Sequence, residues 1–272
     1  MDLPFNLDPS AFAGAADDYV KYRPAYPAAL IEYVRRVCGA DGTGRLLDLG
    51  SGPGSVSLPL AKHFADVCAV DIAPDMVATG GREAERLGIT NIRWNVARAE
   101  DFAAPAGAFD LVTMGQSFHR FDQPVVIPKL IAWLRPRGMV AAMGGIPAKP
   151  EERSPWQVVF DEVCARWRPP GAAPAHPNAR QPAMTSGQIL REAGFGDVQE
   201  IEDSGEFVVS QIWTVEALIG CAFSTSVMSR RALGENASSF AEEVRRTLLG
   251  INPRNEFPAR QRFWCTTARR PY

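Results

Sequence analysis

The chain has 272 residues, 46% of them hydrophobic, and a net charge of −2, which suits a globular protein able to bury a sizeable core and gives no basic stripe for nucleic acid. Five cysteines without a CxxC pair and three scattered histidines argue against a disulfide scaffold and a metal centre. The acidic, proline-containing start is not a signal peptide, and no run reaches the roughly 20 apolar residues of a membrane span. A soluble cytoplasmic protein, monomer or homodimer, is expected.

In chain order, residues 27–38 carry Pro27 at a first helical turn and apolar residues at helical spacing. RLLDL (45–49) reads as a short buried strand, and VCAVD (67–71) as a second, again ending in Asp. A helix is expected over 74–88, with Pro74 early and Gly88 as a stop. Strands follow at 91–96 and 109–114, then a helix over PVVIPKLIAWL with Pro128 inside it, the turn RPRG, and a fifth strand at 138–144. Strands alternating with helices at this spacing predict a parallel sheet with helices on both faces.

The stretch from 146 to 182 breaks the pattern. It is proline-rich and contains PWQVVFDEVCARW, an amphipathic helix with Trp156, Phe160 and Trp167 near one face. Two readings stand: a cap over a pocket, or a surface excursion with its own small core. Residues 185–201 read as a helix capped by Thr185, stopped by Gly194, and a sixth strand. Two helices and an alternating last strand, QRFWCTTARR, complete the chain.

The stretch DLGSGPG, 48–54, joins the first strand to the next helix. Glycine there lets the backbone adopt positive φ and approach a ligand closely. Neither G-x-G-x-x-G frame is filled, because Ser55 and Ser57 stand where the sixth residue should be Gly, and no P-loop lysine follows. The glycine spacing thus speaks against an NAD-linked oxidoreductase.

DLGSGPG matches the [DE]-x-G-x-G-x-G motif, and the chain resembles the class I S-adenosylmethionine-dependent methyltransferases. VCAVDIAPDMV, ARAEDF, FDLVTMGQSFHRFD and LRPRGMVAAMG resemble that family's later motifs in order, the last usually written L-[KR]-P-G-G. YVKYRPAYPAAL and SFHRFD resemble the [YF]-R-P-x-Y-P and F-H-W-F-D signatures of a bacterial subgroup that includes trans-aconitate methyltransferase-like enzymes. The resemblance covers roughly residues 15–145 and implies an α/β, Rossmann-like, seven-stranded, mostly parallel sheet with an antiparallel last strand. It implies lid helices over 1–44, a cofactor-binding core over 45–145, a substrate cap over 146–184, and the rest of the core over 185–272.

The resemblance also implies roles. Gly50, Ser51, Gly52 and Gly54 would cradle the amino-acid part of S-adenosylmethionine, with Asp48 near its ammonium. Asp71 would accept both ribose hydroxyls, since a carboxylate accepts two donors at once. Ile72 and Met76 would press on the adenine, Ala99 and Glu100 would meet its edge, and Gln116 would lie beside the methionine portion. Tyr19, Tyr22 and Arg23 would close over that end, Arg23 taking the carboxylate. Met76 and Glu100 also suit plain core and capping duties.

His119, just past the fourth strand, has a side chain suited to proton removal near neutrality. It is either a general base, or hydrogen-bond partner of an acidic acceptor, or a structural residue under Phe118 and Phe121. His63 is expected at the surface and His176 in solvent. No [DNS]-P-P-[YFW] and no Pro-Cys nucleophile occurs. A small metabolite is the expected acceptor, with S-adenosylhomocysteine as the by-product. Trp156, Trp167, Trp213, Phe223 and Trp264 are candidate pocket walls. A cofactor-binding regulator or non-methylating catalyst of the same fold remains the alternative.

Overall fold

The computed structural model describes residues 12–170, 184–202 and 205–271. Its centre is an eight-stranded sheet in the order β3-β2-β1-β4-β5-β8-β6, with β7 also paired to β8. The strands are β1 (Arg45–Leu49), β2 (Asp66–Asp71), β3 (Ile92–Val96), β4 (Phe109–Gly115), β5 (Leu134–Ile146), β6 (Gly196–Ile201), β7 (Val208–Trp213) and β8 (Phe257–Arg269). β1 to β5 are mutually parallel, and β8 runs antiparallel to β5, β6 and β7.

Side-chain alternation along the strands explains the layering. Leu46, Val67 and Leu111 turn to one face, where they meet Leu30, Ile31 and Val34 of α2 (Ala28–Cys38) and Leu60 of α3 (Ser57–Leu60). Leu47, Cys68 and Val112 turn to the other, packing with Val126, Leu130 and Trp133 of α5 (Gln123–Trp133) and Leu190 of α7 (Ser186–Glu192). Each fully buried leucine contributes roughly 1.5–3 kcal/mol. Helix α4 (Pro74–Arg86) tolerates Gly80 for a packing reason: a Cβ there would lie 2.3 Å from the Trp94 ring.

The expected architecture holds, with one strand more than the seven. β7 was not anticipated. It pairs with the first half of β8, as β6 pairs with the second half. That extension carries a layer of helices. α6 (Pro155–Trp167), α8 (Val215–Phe223), α9 (Arg230–Leu233) and α10 (Ala237–Ile251) share a third core built on Trp156, Val163, Leu218, Phe223, Phe240 and Phe257. The helix expected in the proline-rich stretch is α6, and it has a core in common with the C-terminal helices. The remainder of that stretch, with His176, lies outside the described residues. Helix α1 (Ala16–Tyr22) packs on α8 and on α4. No helix among the described residues is long and apolar enough to cross a membrane.

Pro128 sits inside α5, which nevertheless continues to Trp133. The RPRG turn is absorbed into the start of β5, where the register with β4 shifts after the Phe109–Leu134 pair. Arg137 occupies a left-handed conformation there, φ +65°, with its side chain exposed. The resembling motif carries glycine at that position. Left-handed backbone costs a non-glycine residue about 1–2 kcal/mol, and the added freedom of glycine in the unfolded chain returns about 0.4–1 of it. Arg137→Gly should therefore stabilise the protein by about 0.5–1 kcal/mol, raising Tm by about 2 °C in a calorimetric scan.

Candidate active site

The strand order reverses between β1 and β4, so their carboxyl ends open a crevice at the topological switch point. The turn after β1 and the turn after β4 form its two lips. On the first lip Gly50, Gly52 and Gly54 all have positive φ, +64°, +54° and +93°. Their neighbours differ. A Cβ on Gly50 would meet Ser117 at 2.5 Å, so this residue lets the two lips touch. A Cβ on Gly54 would strike Trp94 and Leu58. A Cβ on Gly52 would meet nothing within 4 Å, which leaves its backbone open to a ligand.

Asp71 ties this turn to the end of β2. One carboxylate oxygen accepts the Gly52 N–H at 2.8 Å and the other the Ala73 N–H at 2.9 Å. Burial raises its pKa, while those N–H groups and the Arg120 guanidinium pull it down. A carboxylate has about four acceptor directions, so capacity for two hydroxyl donors is left. Ile72 beside it is half-buried. Met76 is buried with Ala16 and Ala73, with Phe12 and Tyr19 packed against them, so it joins α1 to α4.

Asp48 is engaged within the protein. It is 1% exposed, and both carboxylate oxygens are taken, by Ser57 Oγ and by Thr113 Oγ1 at 2.8 Å. Burial pushes its pKa up to about 6 despite those bonds. It fastens β1 to β4 and α3 beneath the turn. Ser51 is also buried and donates its N–H to the Val70 carbonyl. Ala99 belongs to the main core. Glu100 accepts the Asp122 N–H at 2.9 Å and lies 3.5 Å from Arg98, so it braces the start of α5.

On the second lip, Gln116 adopts φ +57° and donates its N–H to the Met143 carbonyl. A strained non-glycine residue at a strand end is a feature of functional sites. Ser117 donates to the Leu49 carbonyl at 2.7 Å, closing the lips together. A 3-10 turn, Phe118–Arg120, follows. His119 Nε2 is buried without a hydrogen-bond partner. Burial, with Arg120 beside it, depresses the imidazole pKa to about 4, so the ring is neutral at physiological pH.

Tyr22 is placed differently from expectation. Its ring lies across Gly220 of α8, where a Cβ would come to 2.0 Å, so it pins α1 to α8. Arg23 stays at the crevice: its guanidinium lies 5.2 Å over the Tyr19 ring, and its Nε is buried without an acceptor. Of the candidate pocket walls, Trp156 and Phe223 belong to the third core, with Trp167 and Trp213 packed against it. Trp264 packs against Gly144 of β5. His63 is half-buried and lines a surface groove between α2 and α3.

Three crevice residues escaped the sequence reading. Tyr26 lies against Gly115, and burial raises its phenol pKa well above normal. Gln261 of β8 donates to the Ile146 carbonyl and sits beside Gly145, close to Gln116. Arg120 stands where the resembling signature has tryptophan, half-buried near Asp71, Tyr19 and Arg23. The five cysteines are free, and burial raises every thiol pKa, to about 12 for Cys164 and Cys265. None is an activated nucleophile. Among the described residues no cluster of His, Cys, Asp or Glu is suited to a metal ion.

Fold and site define an α/β protein that holds a nucleoside-bearing cofactor across its switch point. The methyltransferase-domain family matches residues 46–138. Nocamycin O-methyltransferase of Saccharothrix syringae is 31% identical over 199 residues, 67% of this chain and 69% of that protein. A putative type II methyltransferase from Anaeromyxobacter dehalogenans shares the fold at TM-score 0.62 and 25% identity, over 92% of this chain and all of that one. Geranyl diphosphate C-methyltransferase from Streptomyces coelicolor A3(2), solved with S-adenosyl-L-homocysteine, superposes at TM-score 0.51 and 14% identity, over 89% and 79%. The chain belongs to the class I S-adenosylmethionine-dependent methyltransferases. These relatives do not confirm the trans-aconitate methyltransferase-like subgroup.

Proposed function

We propose that this methyltransferase alkylates an O, N or C atom of a small metabolite, carboxylate or hydroxyl oxygens first, by direct in-line displacement. The observation that carries the proposal is the pairing of two lips. An open glycine turn strapped to Asp71 faces a strained β4 turn that buries an unpartnered imidazole nitrogen.

The bound cofactor supplies an electrophilic methyl on a cationic sulfur and departs as S-adenosylhomocysteine. Asp71 holds the ribose hydroxyls, with Ile72 beside it. The Gly52 backbone would meet the amino-acid tail, and its carboxylate would supply the acceptor that the buried Arg23 Nε lacks. Orientation of this kind supplies up to about 7–11 kcal/mol of a barrier. His119, neutral, accepts a proton at Nε2 from an acceptor hydroxyl or amine; a carboxylate acceptor needs no such step. The helical cap supplies the outer wall of the acceptor pocket.

The test is a metabolite-extract screen with methyl-labelled cofactor, read by mass spectrometry. The expected result is a product one methyl heavier, formed in step with S-adenosylhomocysteine. Cofactor binding with no S-adenosylhomocysteine over any extract would contradict methyl transfer and favour a regulator or non-methylating catalyst.

A further inference from the structure

We infer that Arg120 is a specificity residue that seats an anionic group of the methyl acceptor, so the substrate is a small carboxylate-bearing molecule. The inference rests on the cofactor assignment above and adds a substrate class to it.

Arg120 lies on the β4 lip, next to His119. The residue is half-buried, burial lowers its pKa, and its Cζ lies 5.3 Å over the Phe12 ring. Among the described residues no carboxylate lies within ion-pair distance of it. Arg23 is in the same condition, its Nε buried and without an acceptor. A partly desolvated guanidinium is costly unless an anion meets it. The nearby acids are committed. Asp48 is sealed by Ser57 and Thr113, and Asp71 already accepts two backbone N–H groups, its remaining acceptor capacity being assigned above to the ribose. Asp71 tempers the field at Arg120 without pairing with it.

Two unpaired guanidiniums therefore share one crevice. The cofactor brings a single carboxylate, along with a cationic ammonium and a cationic sulfur. It satisfies one arginine and adds positive charge beside the other. Arg23, at the end of α1 beside Tyr19, takes the cofactor carboxylate. Arg120, adjacent to the proposed acceptor-facing imidazole, is left for a second anion. Guanidinium binds carboxylate through two parallel N–H bonds, which would also orient the acceptor. An aromatic residue at this position would offer no such contact.

The test uses the full chain saturated with S-adenosylhomocysteine, which lacks the cationic sulfur, so any anion preference reports on the protein. Benzoate and benzamide, then succinate and succinamide, are compared by thermal shift at matched ionic strength. At least one carboxylate should raise Tm more than its amide in the wild type. Arg120→Leu should abolish the difference and Arg120→Lys keep part of it, each variant being held saturated with S-adenosylhomocysteine. Arg23→Leu should weaken S-adenosylhomocysteine tenfold or more and leave methylthioadenosine, which has no carboxylate, unaffected. Equal responses to every acid and amide in the wild type, or a preference retained in Arg120→Leu, would overturn the inference. Failure of the wild type to bind S-adenosylhomocysteine would instead remove the cofactor assignment beneath it.

Discussion

Asp71→Asn should lower affinity for S-adenosylhomocysteine by at least a hundredfold in a calorimetric titration. The carboxylate has two tasks. It holds the glycine turn through Gly52 and Ala73, and under the proposed function its remaining lone pairs would accept the ribose hydroxyls. Each hydrogen bond to a charged group is worth about 1.5–3 kcal/mol and to a neutral one about 0.5–1.5, so losing one and discharging the other spans roughly 2.5–4.5 kcal/mol. An amide turns one acceptor oxygen into a donor that faces another N–H, so the turn loosens as well. The unfolding free energy should fall by about 1–3 kcal/mol for the orphaned backbone donor. Affinity within threefold of the wild type would show that the ribose is held elsewhere.

His119→Gln should lower kcat by about 10²–10⁴-fold on a hydroxyl or amine acceptor, with little change in KM. The same substitution has a readout that needs no acceptor. The folded imidazole pKa, about 4, lies below the unfolded value near 6.5. Between those limits the unfolded chain binds the extra proton, so this contribution is complete above pH 6.5 and is lost as pH falls through 4. Its full size is about 3 kcal/mol. Asp48 has the opposite sign: its raised pKa, about 6, favours the folded state most at low pH, a contribution lost as pH rises through 6. The wild type mixes the two, and the difference between wild type and His119→Gln isolates the histidine. A difference independent of pH between 4 and 7 would mean that the ring is solvated or paired.

The parallel half of the fold was readable because its strands are short apolar runs ending in Asp or Gly, and helical periods separate them. β7 was harder. VVSQIW alternates, but its faces are only half-buried or exposed, so no clean contrast marks it. The cofactor lip was legible because three glycines at alternate positions have few other uses, and the matching φ values follow. Distances between remote segments were not. Tyr22 looked like a neighbour of Arg23 in the crevice, yet α1 turns it onto Gly220, some two hundred residues away. Asp48 looked available to a ligand until Ser57 and Thr113 closed on it. Arg120 carries no motif of its own. Its importance depends on Phe12, Tyr19, Arg23 and Asp71 being brought around it, and burial without a partner is invisible in a sequence.

The most direct test of the central assignment is native mass spectrometry of the purified full chain, followed by titration with S-adenosylmethionine. The site described here predicts retained S-adenosylmethionine or S-adenosylhomocysteine, or saturable uptake of one cofactor per chain, lost in Asp71→Asn. A folded protein that retains neither and takes up none at millimolar cofactor would contradict it, and the glycine turn would then be a structural element alone.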